Sequence, residues 1–318
     1  MSQNKENESS LKFAVLGNPV EHSLSHLIHR AFAQQCGVDL IYDRIQVNVD
    51  FFEQALESLM AQGYRGFNVT LPFKEEAHEI CAKKGRLCAL SGQARAVNTL
   101  MFSAQKTEPA NIFESMKGFN TDGLGLVRDI QQRLKLDPRA KRILVLGAGG
   151  AARGIVPALK QAGAEVMISN RTHPRAELVA GLLDVKAVAL EALQAAEKVK
   201  HHRFDWLINA TSSELTLSSL DLCEELFEGI ELAYDLMYRK DRMTTVFLQQ
   251  AKDCKVPHTS DGLGMLIEQA AESFRIWHGM IPDTSEVFQG LETQMLQDHL
   301  QRLAHTTEHD FQEGTTLQ

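Results

Sequence analysis

Cysteine is scarce in this chain. There are five in 318 residues, at Cys36, Cys81, Cys88, Cys223 and Cys254, with no C-x-x-C spacing. That argues against a disulfide framework and a cysteine-built zinc site, and it makes a reducing, cytoplasmic location the expectation. Long apolar runs are missing too: none approaches the roughly 20 residues a membrane-spanning helix requires. Met1–Ser10 is polar with no apolar core of the secretory type, so no signal sequence is expected. Basic residues are in deficit, 33 Lys and Arg against 41 Asp and Glu, giving a net charge of −8. General nucleic-acid binders usually carry a basic excess, so no nucleic-acid partner is expected. No internal repeat at about 20–50 residues is visible, which sets aside a solenoid. The remaining composition, 44% hydrophobic and 23% charged, is that of an ordinary folded protein. The length favours two domains at roughly 150 residues each.

What the chain does have is an alternation of short apolar runs with longer helical stretches. Strands are predicted at Leu11–Leu16, Leu40–Val47, Gly66–Val69 and Val97–Phe102, and helices at Ser25–Cys36, Phe51–Gln62 and Lys74–Lys83. The polar segment Ser103–Lys117 reads as an extended hairpin loop before a helix over Asp122–Leu134. Arg142–Leu146 is almost continuously apolar, as a strand buried on both faces should be. Similar runs recur at Glu165–Ser169, Trp206–Asn209 and Leu232–Leu236. Gly264–Gly279 and Thr284–Leu303 read as closing helices, and the polar tail after about His305 as frayed. Such alternation predicts an α/β fold with parallel sheets.

The run Gly147-Ala-Gly149-Gly150-Ala151-Ala152 follows the apolar strand and opens a helix. This is G-x-G-x-x-A. Gly147 permits a tight turn, Gly149 lets the backbone approach a pyrophosphate, and Ala152 allows close helix–strand contact. The helix start offers unpaired N–H groups to the phosphates. The plainer reading is a glycine-rich turn without a ligand. The next strand ends at Asn170-Arg171-Thr172, with Arg175 close behind. An NAD site would place an acid there for the ribose 2′-hydroxyl; a guanidinium instead suits a 2′-phosphate, and hence NADP. A solvated turn arginine is the alternative.

Four more segments carry polar residues where a core would not want them: Gly17–His26, Gly66–Lys74, Ala96–Thr99 and Gly118–Gly123. The first two follow strand ends, where open α/β sheets bind ligands. Asp122 could simply cap the following helix, and Lys74 could be a solvated first-turn lysine.

Together these segments resemble the shikimate dehydrogenase family. The matching pieces are Gly17–Ser25, Asn68–Lys74, Val97–Leu100, Asn120–Gly125, Gly147–Ala152, Asn170–Thr172, Asn209–Ser212, Tyr234–Tyr238 and Asp261–Ala270, in the family's order across roughly Phe13–Pro282. The resemblance implies an NADPH-dependent enzyme reducing 3-dehydroshikimate to shikimate, in the biosynthesis of chorismate and the aromatic amino acids. It implies a substrate-binding catalytic domain over 1–121 and a Rossmann-type, doubly wound NADP domain over 122–261. Helices over 262–318 would return to the first domain. Ser23, Ser25 and Tyr234 are then expected to bind the substrate carboxylate, and Lys74 and Asp122 to form the catalytic pair. Thr70, Asn98 and Gln269 would meet the ring hydroxyls. Gly147, Gly149, Gly150, Ala151, Asn170, Arg171, Thr172 and Arg175 would hold phosphates and ribose. Thr211 and Ser212 would line the cofactor cleft, with Gly262 and Met265 near the nicotinamide. A monomer or homodimer is expected.

The residue types suit the chemistry. Hydride addition to a ketone builds charge on oxygen, which an ammonium can stabilise and protonate. Which of Lys74 and Asp122 is the formal acid stays open, because such a pair titrates as a unit. Three departures stand out. His26 replaces the Pro usual after the second serine, Glu214 stands where many members have Gly, and Asn98 and Asp122 lie 24 residues apart, longer than expected. His22, His26 and His29 lack a nearby cysteine or acidic pair to complete a metal site, so no metal is expected. Met237, Met243 and Met265 read as packing residues. A quinate/shikimate dehydrogenase and a non-catalytic NADP sensor are the rival readings; a sensor would need neither Lys74 nor Asp122.

Overall fold

The computed structural model describes residues 10–102, 112–199, 201–211 and 221–313. The chain opens with β1 (Leu11–Gly17), α1 (Ser25–Cys36), β2 (Leu40–Gln46), α2 (Phe52–Ala61), β3 (Tyr64–Val69) and α3 (Lys74–Lys84). Then come β4 (Arg86–Leu87), α4 (Ala89–Ala94), β5 (Thr99–Phe102) and β6 (Met116–Phe119). These strands form one six-stranded sheet in the order β2-β1-β3-β5-β6-β4. It is mixed rather than parallel: β5 runs antiparallel to both β3 and β6. No crossover helix separates β3 from β5 in the manner of a βαβ unit, because α3 leads to the short β4 at the far edge instead. The segment predicted as loop up to Lys117 therefore ends as strand, and Ser103–Asn111 lies outside the described residues.

The helix α5 (Asp122–Arg128) continues as a π turn over Asp129–Arg133, where one unbroken α-helix was expected. The second sheet follows. Its elements are β7 (Arg142–Leu146), α6 (Gly150–Gln161), β8 (Glu165–Ser169), α7 (His173–Leu183), β9 (Lys186–Ala187), α8 (Leu190–Leu193), α9 (Ala196–Val199), β10 (Trp206–Asn209), β11 (Leu232–Asp235), α10 (Val246–Asp253) and β12 (His258–Ser260). The order β12-β11-β10-β7-β8-β9 is doubly wound, and every pairing is parallel. Burial on both faces is literal in β7: Ile143 and Val145 join one core cluster, Leu144 and Leu146 the other.

Two long helices close the chain, α11 (Leu263–His278) and α12 (Thr284–Glu313). They return to the first sheet's helices: Leu263, Ile267 and Phe274 pack with Leu24, Ile28 and Phe32, and Val287 and Leu291 extend the cluster. The final helix runs past His305, where fraying was expected. Its C-terminal stretch contains neither Pro nor Gly before Gly314, so nothing in the chain breaks propagation. Among the described residues no helix is long and apolar enough to cross a membrane.

Candidate active site

The second sheet reverses its winding between β7 and β10, and the glycine turn lies there. Gly147 sits at φ +116°, a left-handed value that side chains avoid, and a Cβ would come 2.9 Å from the Ala210 carbonyl oxygen. Its N–H donates to the Ser169 carbonyl at 2.7 Å, tying the turn to the end of β8. Gly149 caps α6, and no atom lies within 4 Å of the Cβ position there, so a phosphate could approach the backbone. Arg171 and Thr172 are exposed at the end of β8. Asn170 Nδ2 donates to the Thr172 carbonyl at 3.2 Å, and Arg175 Nε donates to the Ala148 carbonyl, also at 3.2 Å. The turn and the arginines thus form one surface at the carboxyl ends of β7 and β8. Thr211 bonds back to Asn209 Oδ1 at 2.7 Å; Ser212 and Glu214 lie outside the described residues.

Lys74 opens α3 and faces this turn: a Cβ on Gly150 would lie 3.5 Å from Lys74 Cβ. Lys74 Nζ is 2.6 Å from Asp122 Oδ2, with the two side chains only 15% and 6% exposed. Lys74 is therefore no solvated surface lysine. Asp122 is not a helix cap, since Thr121 holds that position and the carboxylate is engaged elsewhere. Its Oδ1 accepts from Asn98 Nδ2 at 2.8 Å. Asn98 is oriented unambiguously, because Thr121 N–H donates to its Oδ1 at 2.9 Å. The same Nδ2 reaches Gln269 Oε1 at 3.2 Å, bringing in α11. Gly154 of α6 abuts this group, a Cβ there falling 3.0 Å from Asp122 Oδ2.

The serines stand at the other end of a polar seam. Ser23 Oγ donates to Ser25 Oγ at 3.1 Å, and the Ser25 side chain lies near the Tyr42 hydroxyl. Tyr42 donates to Asn68 Oδ1 at 2.7 Å, and Asn68 Nδ2 donates to Ser273 Oγ at 3.0 Å and Thr99 Oγ1 at 3.2 Å. Ser273 and Thr99 are 2.8 Å apart, and Thr121 links onward to Gln269 at 3.3 Å. His29 Nε2 also meets Asn68 Oδ1, at 3.1 Å, and its ring stacks on Tyr42. Burial pushes the His29 pKa down to about 3, so the ring is neutral with Nε2 as donor. His26 Nδ1 lies 3.1 Å from the Ser23 carbonyl oxygen, closing the serine turn. Thr70 ends the neighbouring strand, and its methyl meets the Cβ position of Gly17.

One expected residue sits elsewhere. Tyr234 lies within β11, fully buried in the core of the second sheet. Its hydroxyl donates to Asp129 Oδ2 at 2.8 Å and accepts from Met265 N–H at 3.2 Å, so it is not brought to the serines. A second tyrosine near the serines, besides Tyr42, is Tyr238, past the strand's carboxyl end. It packs against the cluster that contains Leu24, the residue between the two serines, and burial raises its pKa to about 12. Met265 is buried in the core cluster that also holds Ala148 and Ala152. Gly262 starts α11 at a contact with the Leu236 carbonyl that leaves no room for a side chain. Sequence reading overlooked Tyr42 and Ser273. It had Asn68 only as part of a polar strand-end segment, and it weighed His29 only as a metal ligand.

Comparison with known proteins places this geometry. Residues 15–100 match a family model described as the shikimate dehydrogenase substrate binding domain. Residues 129–235 match the shikimate/quinate 5-dehydrogenase model, and 262–287 the shikimate 5′-dehydrogenase C-terminal domain. The chain is 43% identical to the shikimate dehydrogenase (NADP(+)) of Methylobacillus flagellatus over 88% of its own length and 98% of the relative's. Among solved structures, an Ael1 enzyme from Pseudomonas putida is 35% identical, with a TM-score of 0.76 over 89% of this chain and 98% of the other. The shikimate 5-dehydrogenase of Thermus thermophilus, in complex with NADP(H) and shikimate, is 33% identical with a TM-score of 0.74, over 90% of this chain and 100% of the other.

Proposed function

Since the chain belongs to the shikimate dehydrogenase family, we propose that its Lys74–Asp122 pair serves the reversible, NADPH-dependent reduction of 3-dehydroshikimate to shikimate. The enzyme is an NADP-dependent oxidoreductase of the shikimate pathway. The observation that carries the mechanistic reading is the buried ion pair at 2.6 Å, packed against the glycine turn. NADPH, when bound, supplies the hydride to the carbonyl carbon. Lys74 Nζ stands to stabilise the charge on the carbonyl oxygen and to give it a proton. Asp122 holds Nζ in place and offers an acceptor to a ring hydroxyl. Asn98 fixes Asp122, Gln269 meets Asn98, and both present further amide groups to the ring. Ser23, Ser25 and Tyr238 take the carboxylate through neutral hydroxyls, which suits a monoanion that must also be released. The first sheet's unit carries the substrate and the second the cofactor. All five cysteines are free thiols, which suits action in a reducing cytoplasm.

The direct test is absorbance at the nicotinamide band with shikimate and NADP⁺, repeated with quinate and with NAD⁺. Turnover of shikimate with NADP⁺ is the expected result, and its absence sinks the reading. For the carboxylate site, Ser23→Ala and Ser25→Ala should each raise KM for shikimate about five- to thirtyfold, the equivalent of roughly 1–2 kcal/mol of hydrogen bonding to a charged group. An unchanged KM in the double variant removes that assignment. For the cofactor, Arg171→Asp combined with Thr172→Ala should lower the NADP⁺/NAD⁺ ratio of kcat/KM by at least about tenfold. It removes a charge-assisted bond and adds an acceptor for the free ribose hydroxyl, at an exposed site where salt weakens the effect. A wild-type ratio near one would overturn the NADP reading.

A further inference from the structure

Glu75 follows Lys74 on α3, and its carboxylate meets two guanidinium groups borne by helices of the second sheet. Its Oε2 lies 3.3 Å from Arg153 Nη1 and its Oε1 lies 3.8 Å from Arg175 Nη2. The two arginines differ in setting. Arg153 sits in the first turn of α6 and is only 13% exposed, and among the described residues its buried Nε has no partner. Arg175, on α7, is 53% exposed and is pinned at Nε to the Ala148 carbonyl. The nearer, buried cation anchors the carboxylate, and the more distant, exposed one shares it. Arg175 is also within one turn of Arg171 and Thr172, at the strand end where an adenosine ribose lies in a doubly wound sheet.

We propose that Glu75 is a specificity-determining residue for the cofactor: its carboxylate holds Arg175 in competition with the 2′-phosphate, and so limits how strongly NADP is preferred over NAD. The inference rests on the reading above, in which Arg171 and Arg175 receive that phosphate. A carboxylate anchored by Arg153 cannot swing away freely, so a phosphate reaching Arg175 must share the guanidinium and bear the repulsion of a neighbouring anion. NAD, which has only a hydroxyl there, meets neither cost. The pyrophosphate is common to both cofactors, so its interaction with Glu75 divides out of their ratio.

The test measures dissociation constants of NADP⁺ and NAD⁺ by titration calorimetry on the full chain. The variants are Glu75→Gln, Glu75→Asp, Arg175→Met, the double variant Glu75→Gln/Arg175→Met, and Glu76→Gln. Glu75→Gln should raise the ratio of Kd for NAD⁺ to Kd for NADP⁺ roughly three- to fivefold, the scale of one exposed ion pair. Glu75→Asp keeps the charge and should stay within about twofold of wild type. On the Arg175→Met background the Gln substitution should leave the ratio unmoved, because the shared cation is gone. Glu76→Gln removes the same charge one residue away, beside Glu53 and Glu79 rather than the arginines, and should not move the ratio. A merely structural role for Glu75 would weaken both cofactors alike. The proposal is overturned if Glu75→Gln leaves or lowers the ratio, or raises it equally without Arg175. A wild-type ratio near one would instead overturn the reading of Arg171 and Arg175 on which it rests.

Discussion

Lys74→Met is expected to lower kcat by at least about a hundredfold, the minimum for removing a positioned proton donor, while leaving the Kd for NADP⁺ within a few-fold of wild type. Methionine keeps the unbranched stem, so the packing of position 74 against Gly150 survives and only the ammonium is lost. Asp122 keeps Asn98 as a donor, so its carboxylate is not left bare. Asp122→Asn should be severely impaired as well, since the 2.6 Å contact that holds Nζ loses its charge. The two losses should not add, because removing either member disables the same unit. Steady-state kinetics of both single variants and the double variant check this, with cofactor binding measured separately. More than about a tenth of wild-type kcat in Lys74→Met would show that Lys74 is not the proton donor.

The second large effect is on stability. In α5, Gly123 and Gly125 let backbones meet on two sides. A Cβ on Gly123 would lie 2.6 Å from the Gly154 carbonyl oxygen of α6, and one on Gly125 would lie 2.6 Å from Gln269 N of α11. Gly125→Ala should therefore destabilise the fold by about 3 kcal/mol, the upper end of overpacking costs, because the obstacle is backbone rather than a side chain that can rotate. Alanine's better helix propensity returns at most about 1 kcal/mol. Because the displaced residue is Gln269, activity should fall with stability. Urea unfolding checks the first part, and kcat at a temperature where the variant remains folded checks the second. A variant as stable as wild type would mean that α5 and α11 can separate without cost.

The alternation of runs made the second sheet legible almost residue by residue: β7, β8 and β10 begin and end where their apolar runs do. The glycine turn was legible for the same reason, since its residues are contiguous. Short strands such as β4, β9 and β12 are too brief to show a period and were missed. The strand β5 was foreseen but not its antiparallel direction, because direction depends on what the intervening chain does. The choice between Tyr234 and Tyr238 could have been made from sequence. A tyrosine inside an apolar strand buried on both faces points into core, whereas one past the carboxyl end stands where such sheets bind ligands. The polar seam could not have been read. Asn68 and Ser273 are 205 residues apart, and neither has a local pattern announcing the other. Partnerships of that kind are created by the fold, and only the polar character of each residue is visible beforehand.

The route of the backbone between the two sheets has a mechanical consequence. The chain leaves the first sheet through α5 to enter the second, and returns through α11, and these two helices pack directly on each other. A single connector would let the halves swivel in any direction, as two beads do on a string. Two connectors locked side by side act like a pair of pins through one door-edge. Such a pair would resist twisting and sliding more than rotation about the line it shares. Lys74 and the glycine turn stand on opposite leaves of that door. Precision in the meeting of the two halves is thus inherited from the topology of the backbone, before any contact across the cleft is made.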